Sequence, residues 1–246
     1  MILEMQPLTT AVKTFFFCVG LWMFISCEPK IILPAGDDDN GGLFLPDGFE
    51  AVVVVDSIGR ARHLAVSELG DIYVKLRAPD KAGRGIVGIR DTNQDGKADI
   101  VEYFGDYPDK GNYGTGMRIH NGYLYFSTAG EVYRYKMDPD GLLPTGEPEL
   151  ILVDDYKNAK YGYEHIAKPI AFDNDGHMYV AFGSPGDVCQ EFNRKPGSPG
   201  MNPCPQLEWH GGIWQFDADR LNQTQKDGKR YATGIRSVVA MDWNQE

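Results

Sequence analysis

The side chains best suited to moving a proton in this chain are Glu164 and His165, at the head of a stretch that runs to Asp187. Imidazole ionises near neutral pH, so a histidine next to an acid is the residue type that can take the proton of an alcohol. Further on, the run YATGIRS carries Arg236, a guanidinium suited to stabilising negative charge that builds on an oxygen. Each has a plainer reading. His165 could be a loop histidine bonded to a nearby carboxylate, and Arg236 a strand-end arginine paired with an acid such as Asp242. The other histidines, His63, His120, His177 and His210, stand singly at turns and strand ends and read as structural or solvated.

Two further groups could do chemistry. Asp91, Asn93, Asp95, Lys97 through its carbonyl, Asp99 and Glu102 follow the oxygen-donor spacing of an EF-hand calcium loop. The flanks, GIVGIR and IVEYF, are strand-like and not helical, so the alternative is an acidic turn between two strands. Cys189 and Cys204 bracket a loop rich in Pro and Gly. A disulfide closing about 15 residues adds roughly 3 kcal/mol in the chain-entropy model, and it is preferred over free thiols. Zinc is disfavoured, because neither cysteine has a neighbour at ligand spacing.

The elements that must position these groups are short strands. Apolar and polar residues alternate on both sides of Asp175-Gly176, which predicts a β-hairpin with His165 just ahead of its first strand. The pattern recurs as HLAVSELGDIYV, GMRIHNGYLYF and PIAFDNDGHMYV, whose Tyr73, Tyr125 and Tyr179 fall 52 and 54 residues apart. Each is followed by a glycine, another alternating strand and an acidic turn, as in GIVGIRDTNQDG, GEVYRYKMDPDG and GIWQFDADR. Such a unit of about fifty residues and four antiparallel strands is a propeller blade. A β-sandwich also offers many short strands but does not predict one hydrophobic-Tyr position per unit. The prediction is an all-β propeller, with a first strand at FEAVVVV (residues 49–55) and a fourth unit opening at residues 238–243. Rings close with about four to eight blades, so three and a fraction read as part of a longer protein.

Composition narrows the partners. The 246 residues include 24 Lys and Arg against 35 Asp and Glu, and the net charge of -11 repels nucleic acid and anionic membrane surfaces. The run TFFFCVGLWMFISC after Lys13 fits the apolar core of an export signal and is short for a membrane span. Phe24-Ile25-Ser26-Cys27 looks like a bacterial lipobox, with Cys27 the lipidated residue. The expected organisation is a signal peptide over residues 1–27, a polar linker over 28–46, and a partial propeller over 47–246. The expected place is the periplasm or cell surface, with membrane attachment only through the lipid.

The acid-His pair, the following apolar strand, the D-x-G-x-hydrophobic-Tyr hairpin, the FGSPGD exit and the later GIRS run resemble the glucose/sorbosone dehydrogenases. The opening LPDGFEAVVVVDSIGRARHLAV is also similar to that family. These are six-bladed propellers that use pyrroloquinoline quinone (PQQ). The resemblance covers roughly Leu45 onward and implies about three and a half of the six blades. It implies PQQ and Ca2+ as cofactors, a sugar or polyol substrate and an external electron acceptor. His165 then matches the general base, Glu164 its acidic neighbour, and Arg236 the cation near the quinone oxygens, with Ser237 where the family has Asn.

Two other readings stand beside this one. A propeller of the same descent could serve as a surface module that binds glycans or proteins, and a lactonase-type propeller would instead need carboxylates gathered around a metal.

Overall fold

A computed structural model describes residues 34–107, 115–154 and 164–244. The expected signal peptide, the lipobox-like run ending at Cys27 and the first part of the expected linker lie outside the described residues. The chain divides into Met1–Leu33 and Pro34–Glu246, and the second unit is the one described.

That unit is almost all β, with helical geometry confined to single 3-10 turns among the described residues. Strands β1 (Ala61–Val66), β2 (Ile72–Leu76), β3 (Ile86–Arg90) and β4 (Ile100–Phe104) form one antiparallel sheet in chain order. Strands β5 (Met117–His120), β6 (Tyr123–Ser127), β7 (Glu131–Lys136) and β8 (Thr145–Val153) form the second. The third holds β9 (Ile170–Phe172), β10 (His177–Phe182), β11 (Gly212–Asp217) and β13 (Lys229–Thr233). Short β12 (Gln223–Thr224) leaves the third sheet and pairs in parallel with β8, so one blade's connection staples the outer edge of the blade before it.

The first strands are spatial neighbours, β1 touching β5 and β5 touching β9, as the inner strands of successive propeller blades must be. Apolar faces meet between sheets. Tyr73 and Ile86 pack on Leu124, Phe126 and Tyr133 between the first and second. Between the second and third, Tyr125, Val132 and Ile151 pack on Val180, Phe182 and Trp214. The fold is an incomplete propeller of antiparallel blades.

Two predicted strands are absent. FEAVVVV joins no sheet edge. Its Val54 and Val55, with Ile58, instead lie over Val74, Leu76, Val87 and Ile89 on the outer face of the first blade. Its carbonyls at Ala51 and Val54 are bonded by Asp37 and Ala98 in loops. An apolar run that covers a sheet's face has no ladder to join. Residues 238–243 likewise form no strand. This segment turns back over the second and third blades, where Arg118 donates to the Met241 carbonyl at 2.7 Å and Trp243 stacks on Tyr179 at 4.7 Å.

Candidate active site

The start of β9, the end of β10, the start of β11 and the end of β13 lie at one rim of the third blade, because neighbouring strands run antiparallel. His165 leads into β9, Asp187 follows β10, His210 precedes β11 and Arg236 follows β13, so all four share that rim. Close backbone contacts tie the loops together. The Ser184 N–H donates to the Arg236 carbonyl at 2.7 Å, and the Ile235 N–H to that of Gly211 at 2.9 Å. Gly183 lies so near the His165 carbonyl that a Cβ there would sit 1.7 Å from its oxygen. The glycine is what lets the His165 segment lie against the end of β10.

His165 bonds Asp187, not Glu164. Its Nε2 is 3.0 Å from Asp187 Oδ1, and both side chains are about one-fifth exposed. Asp187 Oδ2 accepts from Arg194 Nε. That bond, with help from His165 and against some desolvation, holds the Asp187 carboxyl below its ordinary value. An ionised carboxylate can only accept, so Nε2 is the donor in this bond and Nδ1 is the ring nitrogen left to act as a base. Glu164 lies close by but makes no bond to the ring; it accepts from Asn193 Nδ2 at 2.9 Å and pairs with the Arg194 guanidinium at 3.0 Å.

Arg236 lies with its NH1 3.8 Å from Asp187 Oδ1 and its side chain 59 % exposed. It is not paired with Asp242, which faces Arg118 at 3.8 Å. Ser237 beside it is exposed. Cys189 and Cys204 are joined in a disulfide, Cα to Cα 6.1 Å, closing the loop that bears Asn193 and Arg194. His210, read from sequence as structural or solvated, stands 3.4 Å from Asp154, which also holds the fully buried Lys168 at 2.5 Å.

The loop from Asp91 to Asp99 is a tight acidic turn between β3 and β4. Asp91 accepts from the backbone N–H groups of Asn93, Gln94 and Gly96, Asp95 from that of Lys97, and Asp99 from Thr92. Glu102 is on β4 opposite Gly88. These carboxylates are directed to turn amides and do not converge. Among the described residues, Glu164, His165 and Asp187 are the one group of three ligating side chains close enough to share an ion, with atoms within 4.8 Å.

Sequence reading brought His165 and Arg236 to the rim but missed Asp187 as the histidine's partner. It also missed Asn193 and Arg194. The signal for Asp187 was present in FGSPGD, since a strand exit at the far end of the same hairpin returns to the rim where the hairpin began. Arg194 carried no such signal, because its placement depends on the path of an irregular loop.

The fold and rim thus define a propeller with a His–Asp pair and a guanidinium at one mouth. No family model matches the chain, and no curated protein matches it by sequence. Solved structures share its fold. One is the holo form of the PQQ domain of pyranose dehydrogenase from Coprinopsis cinerea, 16% identical, with a TM-score of 0.56, covering 76% of this chain and 42% of that one. Another is a Trichoderma reesei carbohydrate-active enzyme of family AA12, 15% identical at a TM-score of 0.56, covering 75% of this chain and 43% of that one. A calcium structure of the AA12 enzyme from the same organism matches at 14% identity, with a TM-score of 0.55 and coverage of 75% and 43%. The chain spans less than half the length of these structures.

Proposed function

We propose that this chain belongs to an exported, lipid-anchored quinoprotein that oxidises an aldose or related polyol and passes the electrons to an external acceptor. The observation that carries the reading is the His165–Asp187 pair with Arg236 on the same rim. Support for the substrate and cofactor class comes from the fold, which the chain shares with a pyranose dehydrogenase PQQ domain and with a carbohydrate-active enzyme solved with calcium.

The residues suit a planar, polyanionic quinone. Arg236 offers an exposed guanidinium, and His165, bonded to Asp187 through Nε2, keeps its second ring nitrogen, Nδ1, clear of that bond. When bound, PQQ supplies a two-electron acceptor for the hydride of a substrate C–H. His165 Nδ1 takes the proton of the same carbon's hydroxyl, so the alcohol leaves as a carbonyl. Asp187 orients the ring and stabilises the imidazolium that forms, as an acid behind a histidine does in other general-base sites. Arg236 provides positive charge where an oxygen gains negative charge. Asn193 and Arg194 hold the two acids. Ca2+ is part of the reading through the calcium-bound neighbour, and the Asp91–Asp99 turn is not its favoured place here.

A second reading is favoured by one observation, the convergence of Glu164, His165 and Asp187 within reach of a single ion, which suits a metal-dependent hydrolase. The guanidinium of Arg194 already pairs with Glu164 and Asp187, and that of Arg236 stands 3.8 Å from Asp187. Two cations on the acids oppose a divalent ion there, so the dehydrogenase reading is preferred.

Reconstitution with PQQ and Ca2+, followed by dye reduction across a panel of aldoses and polyols, tests it. Sugar-dependent reduction lost in His165→Ala is the expected result. A protein that binds glycans without reducing the dye would be a binding module. Hydrolysis of lactones that depends on added divalent metal would establish the second reading.

A further inference from the structure

We propose that the disulfide-closed arm between Cys189 and Cys204 is a positioning device for His165, and that Arg194 is the residue through which it acts. Its consequence for turnover rests on His165 being the base; its geometry does not.

The arm belongs to none of the three sheets, yet it is ordered by its own bonds. The disulfide joins its ends, Met201 N–H donates to the Cys189 carbonyl at 2.9 Å, Glu191 N–H to that of Pro199 at 3.0 Å, and Phe192 N–H to Ser198 Oγ at 2.9 Å. From this frame two adjacent residues reach both acids that flank the histidine. Asn193 donates to Glu164 and accepts from the Asp187 N–H at 3.0 Å, while Arg194 pairs with Glu164 Oε2 and Asp187 Oδ2. The arm therefore grips the residue before His165 in sequence and the carboxylate in front of its ring.

Arg194 does more than neutralise charge. By occupying Oδ2 through Nε it leaves Oδ1 as the oxygen presented to His165 Nε2, and because its NH2 is held by Glu164 Oε2, one guanidinium ties the two acids beside the histidine together. Arg194 has a backbone φ of 61°, in the left-handed region that costs a side chain of this kind free energy, and Cys189 has 54°. Such conformations persist where surrounding structure over-determines them, and here the disulfide and the bonds within the arm do so. Among the described residues, Glu164 and Asp187 are the acids close to the His165 ring, and the arm bonds both.

The test uses the ligand-free protein and reads the hydrogen bond itself. In 15N-resolved proton spectra, His165 Nε2–H bonded to Asp187 should give a downfield, slowly exchanging resonance, identified by its loss in His165→Gln. In Arg194→Gln that resonance should vanish through exchange with water while the amide spectrum of the three sheets stays unchanged. The paired Cys189→Ser, Cys204→Ser variant should show the same loss. A resonance that persists unshifted in Arg194→Gln, or that is missing from the wild type, overturns the proposal. If the resonance behaves as expected but the reconstituted wild type reduces no quinone, the arm stands and the dehydrogenase reading fails. Where turnover is present, Arg194→Gln should lower kcat by about tenfold or more with quinone affinity retained.

Discussion

The Tyr73 hydroxyl on β2 donates to the Leu142 carbonyl, 2.8 Å away and one blade further on. Tyr125, at the same place in the second blade, donates to the Ala218 carbonyl of the third at 3.0 Å. Both acceptors lie just past the third strand of the next blade, so one residue position is repeated as an inter-blade tie. Both hydroxyls are buried, and burial is the chief reason their acidity is suppressed, that of Tyr73 to about 12. Tyr179, third in the series, bonds Asp173 within its own blade at 2.9 Å and stacks on Trp243.

These ties should be measurable. Tyr73→Phe removes one buried neutral hydrogen bond and should lower unfolding free energy by about 1 kcal/mol. Tyr125→Phe should cost more, about 2 kcal/mol, because its hydroxyl also accepts from the buried Arg134 at 2.9 Å. Urea denaturation of the two variants checks the order. Equal losses would mean that Arg134 draws nothing from the tyrosine.

Asp173 makes stability depend on pH. Burial alone would push its carboxyl up, but the His177 N–H, the His177 ring and the Tyr179 hydroxyl all bond it, and together they bring it down from 3.8 to about 2. A depressed folded-state value means that the stabilisation is complete above the unfolded value and disappears as pH falls from about 4 to about 2. Asp173→Asn should therefore lose about 2 kcal/mol at pH 7 and show a flatter acid denaturation curve over that range. An unchanged acid limb in the variant would remove Asp173 as its source.

Gly183 should not tolerate a side chain. Its would-be Cβ meets the His165 carbonyl oxygen at 1.7 Å, which is backbone and cannot rotate away. Gly183→Ala is expected to destabilise the protein by about 2 kcal/mol or more and to abolish the His165 Nε2–H resonance, since the loop must move. Wild-type stability in this variant would contradict the contact.

Much of the architecture was legible in the sequence. The hydrophobic-Tyr position marked the second strand of all three described blades, because a side chain that must fill a core and also place a hydroxyl on a polar partner leaves few residue types to choose from. FEAVVVV misled for a physical reason. Its run of valines suits a strand, but alternation is absent, and in the structure it covers an apolar sheet face and pairs with no edge. Residues 238–243 misled similarly, since the aromatic and apolar residues there pack onto Tyr179 and the second blade. At the rim, His165 and Arg236 were legible as residue types of the right chemistry. Reading Glu164 as the acid of the pair followed chain adjacency, whereas in the fold Glu164 is taken up by Asn193 and Arg194 and the ring bonds Asp187. Arg194 was not legible at all, since only the folded arm brings it to Asp187.

The most direct measurement is a single turnover of protein loaded with PQQ and Ca2+, mixed with an aldose and followed by the absorbance of the quinone. With wild type, the quinone should be reduced on adding the sugar. His165→Ala should bind the quinone equally well and reduce it about a hundredfold or more slowly. Reduction at the wild-type rate in His165→Ala would contradict the account.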